Sequence, residues 1–362
     1  MMHGVGMIGG APGSFMGDAH RRAMAMTGRF TLVAGCLSGR PERARAAGAQ
    51  LGLAPERCYE DWAVMARAEA ARAEPISLAV VVTPNDMHLP VTGAFLDEGI
   101  KVFCEKPLCI DAAGALAFAQ THATENMALA YTYTGYAMVR EARRLVREGE
   151  LGRVRNVQVE YLQDWLDHAA APGGWRLNAR IGGAGGCLGD IGTHAFHLAE
   201  FVSGLTCSAV SARVSCLVQG RSVPDDAAVF LDFQDGCVGG LWVSQVATGC
   251  GNALRVRLFG TLGSLEWAQE RPDELRVARA DGTVTTRVRG ASAVHAPVFV
   301  PRGHPEGYLA ALARLYDDLA DRLEGQGGDS LPDFGDGLRG VHFVETALAS
   351  GQEHGMWRNL PR

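Results

Sequence analysis

The chain has 362 residues, 47% of them hydrophobic, and a mean hydropathy of +0.01, which suits two soluble cores better than one. Its 40 acidic against 34 basic residues leave a formal charge of -6, and with no basic cluster this argues against nucleic acid as the main partner. The longest apolar runs, such as Leu78 to Val82, are far too short to span a bilayer, so no membrane partner is expected.

The first third alternates short apolar runs with helical periodicity. Val5 to Ile8, Thr31 to Cys36, Leu78 to Val82, Lys101 to Cys104 and Ala128 to Tyr131 are predicted strands, with amphipathic segments between them. This is the βαβ rhythm of a doubly wound parallel sheet, whose buried strands are apolar on both faces. The glycine-interrupted start of the chain, Gly9, Gly10, Gly13 and Gly17, reads as a structural beginning and not as a signal peptide.

The loop Gly9-Gly10-Ala11-Pro12-Gly13-Ser14-Phe15-Met16-Gly17 lies between a predicted strand and helix, the context a dinucleotide pyrophosphate requires. Against a GxGxxG pattern, Gly9 and Gly17 take the outer places, Ala11 takes the second, and three residues are extra. Ala11 crowds the pyrophosphate, unless Gly13 supplies the close approach. After the second strand, Ser38 holds the position where an acid would bind both ribose hydroxyls of NAD, and Arg40 follows it. That arrangement suits a 2′-phosphate, although Arg40 or Arg43 equally reads as a solvated helix-start charge, so NAD and NADP both stay open.

Two motifs follow the next strands: Thr83-Pro84-Asn85, with His88 beyond it, and Glu105-Lys106-Pro107. Both fall at the carboxyl edge of the sheet, where ligands of such folds bind. After Gly149 the apolar period becomes two. Val157, Val159 and Tyr161, then Leu254, Val256 and Leu258, alternate with polar residues, as strands with one wet face do. Further strands are expected at Val210 to Val218, Ala228 to Phe233 and Cys237 to Val246. Leu309, Leu312, Leu315, Leu319 and Leu323 mark a late helix, Phe343 and Ala347 another, with a loop at Gly325 to Gly328 between them.

The most informative stretch is Gly185-Gly186-Cys187-Leu188-Gly189-Asp190-Ile191-Gly192-Thr193-His194-Ala195-Phe196-His197. On a helix beginning near Asp190, its carboxylate and the His194 imidazole share one face, as a general base and its orienting acid do. Asp190 as a simple N-cap, and His194 as a core histidine, are the plainer readings. Asp190, His194 and His197 also fall at i, i+4 and i+7, but apolar neighbours and the lack of a fourth ligand lead us to expect no metal. Nine cysteines without a CxxC pair read as buried thiols in a reducing cytoplasm.

Taken together, these segments resemble the Gfo/Idh/MocA family, the glucose-fructose oxidoreductase and inositol dehydrogenase group, from Val5 to about Ser350. The resemblance implies an α/β chain: an N-terminal Rossmann doubly wound parallel sheet at 1–130, then a C-terminal α+β domain with a large, mostly antiparallel open sheet at 131–362, its late helices free to pack back on the first domain. It implies an NAD(P)-dependent oxidoreductase acting on a secondary hydroxyl of a sugar or inositol-type polyol, with Lys106, Asp190 and His194 as catalytic triad, and the lack of a lysine or arginine cluster for a substrate phosphate favours an unphosphorylated one. Cofactor contacts are expected from Gly9, Ala11, Gly13, Phe15, Met16, Ser38, Arg40, Thr83, Pro84, Asn85, His88, Glu105 and Lys106. Tyr133, Trp175, Arg176, Asp190, His194 and His304 are expected to line the substrate pocket. The family also implies a homodimer or homotetramer, built on the open face of the second sheet. A glycosidase that recycles its bound NAD and a non-catalytic dinucleotide sensor are the alternatives; retention of Lys106, Asp190 and His194 argues against the sensor.

Overall fold

The structure, a computed structural model, describes residues 2–167, 174–292, 294–295 and 297–361. In chain order its strands and helices are β1 (His3–Gly9), α1 (Phe15–Thr27), β2 (Phe30–Cys36), α2 (Pro41–Gln50), α3 (Trp62–Ala70), β3 (Leu78–Val82), α4 (His88–Asp97), β4 (Lys101–Cys104), α5 (Ala112–Ala119) and β5 (Met127–Leu129). They continue with α6 (Ala137–Arg147), β6 (Val154–Leu162), α7 (Ala179–Gly182), α8 (Thr193–Ser203), β7 (Cys207–Ser215), β8 (Asp226–Phe233), β9 (Val238–Ser244), β10 (Ala253–Gly260) and β11 (Gly263–Ala268). The last are β12 (Glu274–Arg279), β13 (Val284–Val288), α9 (Tyr308–Leu323), α10 (Phe334–Gln352) and β14 (Arg358–Asn359). The chain divides into two compact units, Met1–Thr132 with Tyr308–Leu338, and Tyr133–Gly307 with Arg339–Arg362.

The first unit holds a five-stranded parallel sheet in the order β2-β1-β3-β4-β5. Strand order reverses between β1 and β3, so a crevice opens beyond their carboxyl ends, where ligands of doubly wound sheets bind. β3 is Leu-Ala-Val-Val-Val with its first four residues fully buried, as a strand covered on both faces must be. Helix α9 belongs to this unit because its buried face, Leu312, Leu315, Tyr316 and Leu319, packs beside α1. Gly337 near the start of α10 lies so close to Leu129 that a Cβ would fall 2.2 Å from its side chain.

The second unit is built on a nine-stranded sheet in the order β13-β12-β11-β10-β6-β9-β8-β7-β14. Only β6 and β9 run parallel; the other neighbours are antiparallel. One face is covered by α6 and α8, and Val157, Val159, Leu241, Val243, Leu254, Val256 and Leu258 point into that core. The opposite face exposes Phe230, Val238, Trp242 and Phe259 on β8, β9 and β10. The strands β11, β12 and β13 lie beyond the last one the sequence predicts; β13 is mostly exposed and carries no apolar alternation to betray it.

Candidate active site

The first unit supplies a glycine cradle. Gly9 ends β1 with φ 79°, and a Cβ there would fall 2.5 Å from the Val82 carbonyl oxygen, so the turn approaches β3 only because the residue is glycine. Gly17, in the first turn of α1, would place a Cβ 2.3 Å from the Gly10 carbonyl oxygen. It is therefore the helix-to-strand packing glycine. Gly13, at φ 85°, has open space where a side chain would be, whereas Ala11 is buried. Ser14 N-caps α1, its hydroxyl accepting from the Gly17 amide. The amides of Phe15 and Met16 stand at the helix start, where no intrahelical acceptor exists, and such an end attracts phosphate.

Around this loop, Phe15 is 74% exposed, and Met16 accepts a hydrogen bond from Tyr308 at its sulfur. Thr83 lies beside Gly9 at the end of β3, and its buried Oγ1 has no hydrogen-bond partner among the described residues. An orphaned hydroxyl here fits a bound polar ligand, and with the glycine cradle it makes these residues suitable for a dinucleotide. Asn85 follows, buried in a short 3-10 turn. Ser38 accepts from the Arg40 amide at 3.2 Å, and the Arg40 side chain is exposed at the start of α2; no acidic residue follows β2 from Leu37 to Arg40, although the Asp61 carboxylate acts on Cys36 at the end of the strand.

Two residues expected at the cofactor have buried side chains tied to other parts of the first unit. His88 is buried, with Nδ1 2.7 Å from the Pro107 carbonyl oxygen and Nε2 3.1 Å from that of Thr83. It ties the Thr83 turn to the Lys106-Pro107 turn, and burial pushes its imidazole below the ordinary range, outweighing the two carbonyls and Glu105. Glu105 is buried too, with Oε1 2.9 Å from Nε2 of His20 on α1 and Oε2 accepting from the Lys106 amide at 3.3 Å. Lys106, after a strand packed against β3 and β5, is half-buried at the sheet's carboxyl edge.

The second unit carries the acid and the imidazole. Gly186 lets the chain press against Pro224, where a Cβ would fall 2.1 Å from the carbonyl oxygen that the Cys187 amide donates to at 2.8 Å, and a Cβ on Gly185 would fall 2.5 Å from the Val344 side chain. Leu188–Gly192 then forms a π-helical turn, a geometry concentrated at functional sites, and α8 begins only at Thr193. Asp190 therefore sits on the π turn and is not the N-cap of α8, which is Gly192. Its Oδ2 accepts from Gln245 Nε2 at 2.8 Å, and its Oδ1 faces Arg176 Nε at 3.9 Å.

His194 is 7% exposed, with its ring edge-on to Tyr133 at 4.9 Å and 89°. Tyr133 shares a very short hydroxyl contact with Tyr161, which donates to Asn252 Oδ1 at 2.9 Å; Gln163 donates to the same oxygen at 2.6 Å and accepts from Trp165 Nε1. Burial pushes the Tyr133 hydroxyl up, outweighing its hydrogen bonds with Tyr161 and Asn252. Trp175 stacks under the Arg176 guanidinium at 4.5 Å. His197 is buried against Phe201. His304 is exposed, its carbonyl bound by Arg289, and no described contact links it to Asp190 or His194. Gln245, Tyr161, Gln163 and Asn252 were not foreseen; a polar residue closing the apolar run of β9 was the one available signal for Gln245.

A glycine cradle at the switch point with an orphaned threonine hydroxyl fits a dinucleotide-binding unit of the Rossmann class. Comparison with known proteins agrees. Residues 3–133 match the family described as "Oxidoreductase family, NAD-binding Rossmann fold", and residues 139–266 match "GFO/IDH/MocA C-terminal domain". An oxidoreductase from Sinorhizobium meliloti is 37% identical with TM-score 0.90, each chain 99% covered. An inositol dehydrogenase homolog from Azotobacter vinelandii, solved with NADH and myo-inositol, is 31% identical with TM-score 0.91, covering 99% of this chain and 98% of that one. Levoglucosan dehydrogenase of Pseudarthrobacter phenanthrenivorans is 28% identical over 99% of this chain and 98% of its own length. The chain belongs to the Gfo/Idh/MocA family of oxidoreductases.

Proposed function

We propose that the protein moves a hydride between NAD or NADP and a ring carbon bearing a secondary hydroxyl of an unphosphorylated sugar or inositol. When bound, the nicotinamide supplies the hydride acceptor or donor. Lys106 donates a hydrogen bond to the reacting oxygen and stabilises its alkoxide character. His194 accepts the hydroxyl proton, a task for which an imidazole is suited near neutral pH. Asp190 orients this pair. The observation that carries the reading is the carboxylate of Asp190, clamped by Gln245 on a π turn four residues before His194. Tyr133, Trp175 and Arg176 offer the aromatic surface and fixed polar groups that a polyhydroxylated ring uses, and His304 is assigned to the same pocket on sequence position alone.

Residues 1–130 are assigned to the dinucleotide and 131–362 to substrate and assembly. Exposed Phe230, Val238, Trp242 and Phe259 on one face of the second sheet support a homodimer or homotetramer through that face. The nine cysteines, none in a CxxC pair, support a reducing, cytoplasmic setting, and no helix among the described residues is long and apolar enough to cross a membrane.

The test is absorbance at the nicotinamide band, with NAD and NADP in separate wells against inositols, aldoses and anhydrosugars. A rise with one substrate is expected, lost in Lys106→Met and His194→Ala while cofactor binding persists. A flat panel with intact cofactor binding, or unchanged rates in both variants, overturns the reading.

A further inference from the structure

We propose that Gln245 is a positioning residue for the reaction: it holds the Asp190 carboxylate in one orientation and keeps it an acceptor, so that the proton leaving substrate goes to His194. This rests on the proposed function above and adds to it a residue no motif contains. The hydrogen bond from Gln245 Nε2 to Asp190 Oδ2 is 2.8 Å, and Gln245 is 3% exposed. An amide oxygen turned toward a carboxylate would repel it, so the donor end faces Asp190.

Gln245 is itself held at both backbone groups. Its amide donates to the Asp225 carbonyl at 2.9 Å, and its carbonyl accepts from Leu166 at 3.1 Å. The same stretch of chain around 224–226 receives the Gly186-Cys187 turn that leads into the π turn. Acid and clamp are thus fixed to one support, and an orienting group mounted this way loses little when it acts. The Gln245 donor lies on one oxygen of Asp190 and the Arg176 guanidinium 3.9 Å from the other, so each oxygen faces a donor. An acid held as an acceptor orients and neutralises a cation but does not shuttle protons.

The other titratable groups near the clamp include His194, one turn on, Cys187 and Tyr133, whose side chains feel the Asp190 carboxylate, and Asp225 and Asp226 beside Gln245. Asp225 is already committed to the amides of Leu217 and Val218 and to Arg221. Asp226 accepts from Trp242.

The experiment compares wild type with Gln245→Leu and Gln245→Glu, measuring kcat, KM, cofactor affinity and far-UV circular dichroism from pH 5 to 9. Asp190→Asn and His194→Ala are run beside them. Gln245→Leu is expected to lose about 10–100-fold in kcat, the scale of a misplaced catalytic group, with cofactor affinity unchanged. In Gln245→Glu a protonated carboxyl can still donate to Asp190, while the ionised form repels it. Its activity relative to wild type is therefore expected to be greatest at acid pH and to fall as pH rises, with no matching loss of circular dichroism. A merely structural role would give no such conditional rescue. Gln245→Leu within twofold of wild-type kcat, or a Gln245→Glu profile parallel to wild type, overturns the proposal. If the Asp190 and His194 variants also keep wild-type rates, the proposed function itself fails; if they are inactive while the Gln245 variants are normal, only the positioning role fails.

Discussion

His20 is the buried residue whose removal has the most calculable consequence. It is completely buried on α1, with Nε2 2.9 Å from Glu105 and Nδ1 2.7 Å from the Tyr316 hydroxyl. A neutral imidazole satisfies both, donating from Nε2 to the carboxylate and accepting from tyrosine at Nδ1. Its ring also meets Phe103 and Tyr316 edge-on at 5.6 and 5.7 Å. His20→Leu keeps the volume and removes both bonds, leaving Glu105 with the Lys106 amide alone. Removing a buried hydrogen bond to a carboxylate costs about 1.5–3 kcal/mol. At about 2–4 °C per kcal/mol for a unit of this size, the melting point should fall by roughly 3–12 °C. Scanning calorimetry is the suitable assay, because two units need not melt as one transition. The double variant His20→Leu/Glu105→Gln removes the under-satisfied carboxylate and should recover about 1 kcal/mol or more of the loss. A fall below about 2 °C in the single variant, or a double variant no more stable than the single, refutes the reasoning.

Three further outcomes are expected. Gly17→Ala puts a Cβ 2.3 Å from the Gly10 carbonyl oxygen, so overpacking should cost about 1–3 kcal/mol and weaken cofactor binding in a fluorescence titration; wild-type affinity and stability would refute the packing role. Ser38→Asp introduces the missing ribose-binding acid at the end of β2, and the ratio of kcat/KM with NAD to that with NADP should rise by about tenfold, the loss of one good polar contact; an unchanged ratio would remove Ser38 from the cofactor site. Burial holds the His88 pKa below its unfolded value, so its contribution to stability is present above about pH 6.5 and is lost as pH falls through the folded value. His342, lowered by burial as well, acts in the same direction. His88→Asn should therefore flatten, without abolishing, the fall of melting temperature between pH 7 and 5, and an unaltered slope would contradict this.

Much of the fold is legible because burial leaves a periodic mark. The strands of the parallel sheet are continuous apolar runs, and β6 and β10 alternate with period two, each pattern following from which faces a core covers. The fifth parallel strand stops at Leu129 and not at Tyr131, since the backbone turns into a short 3-10 segment at Thr132–Gly135. β12 and β13 escape notice because an edge hairpin needs few inward residues: Leu275 and Val277 suffice for β12, and β13 is paired through its backbone.

The site is legible only where a motif is local. Asp190 and His194 stand out because they are four apart in an apolar run. The π turn beneath Asp190 does not, since no residue pattern distinguishes it from the first turn of a helix. Gln245 lies 55 residues from the carboxylate it holds, and in sequence it is one polar residue at the end of a strand. His20 lies 85 residues from Glu105 and 296 from Tyr316, and on α1 it reads as one polar residue among several. A motif exposes the groups that meet a ligand, because chemistry restricts their type and spacing together. The groups that hold those groups still are restricted only by a contact in space, so a glutamine and a histidine with no motif of their own carry the orientation of the acid and the burial of Glu105.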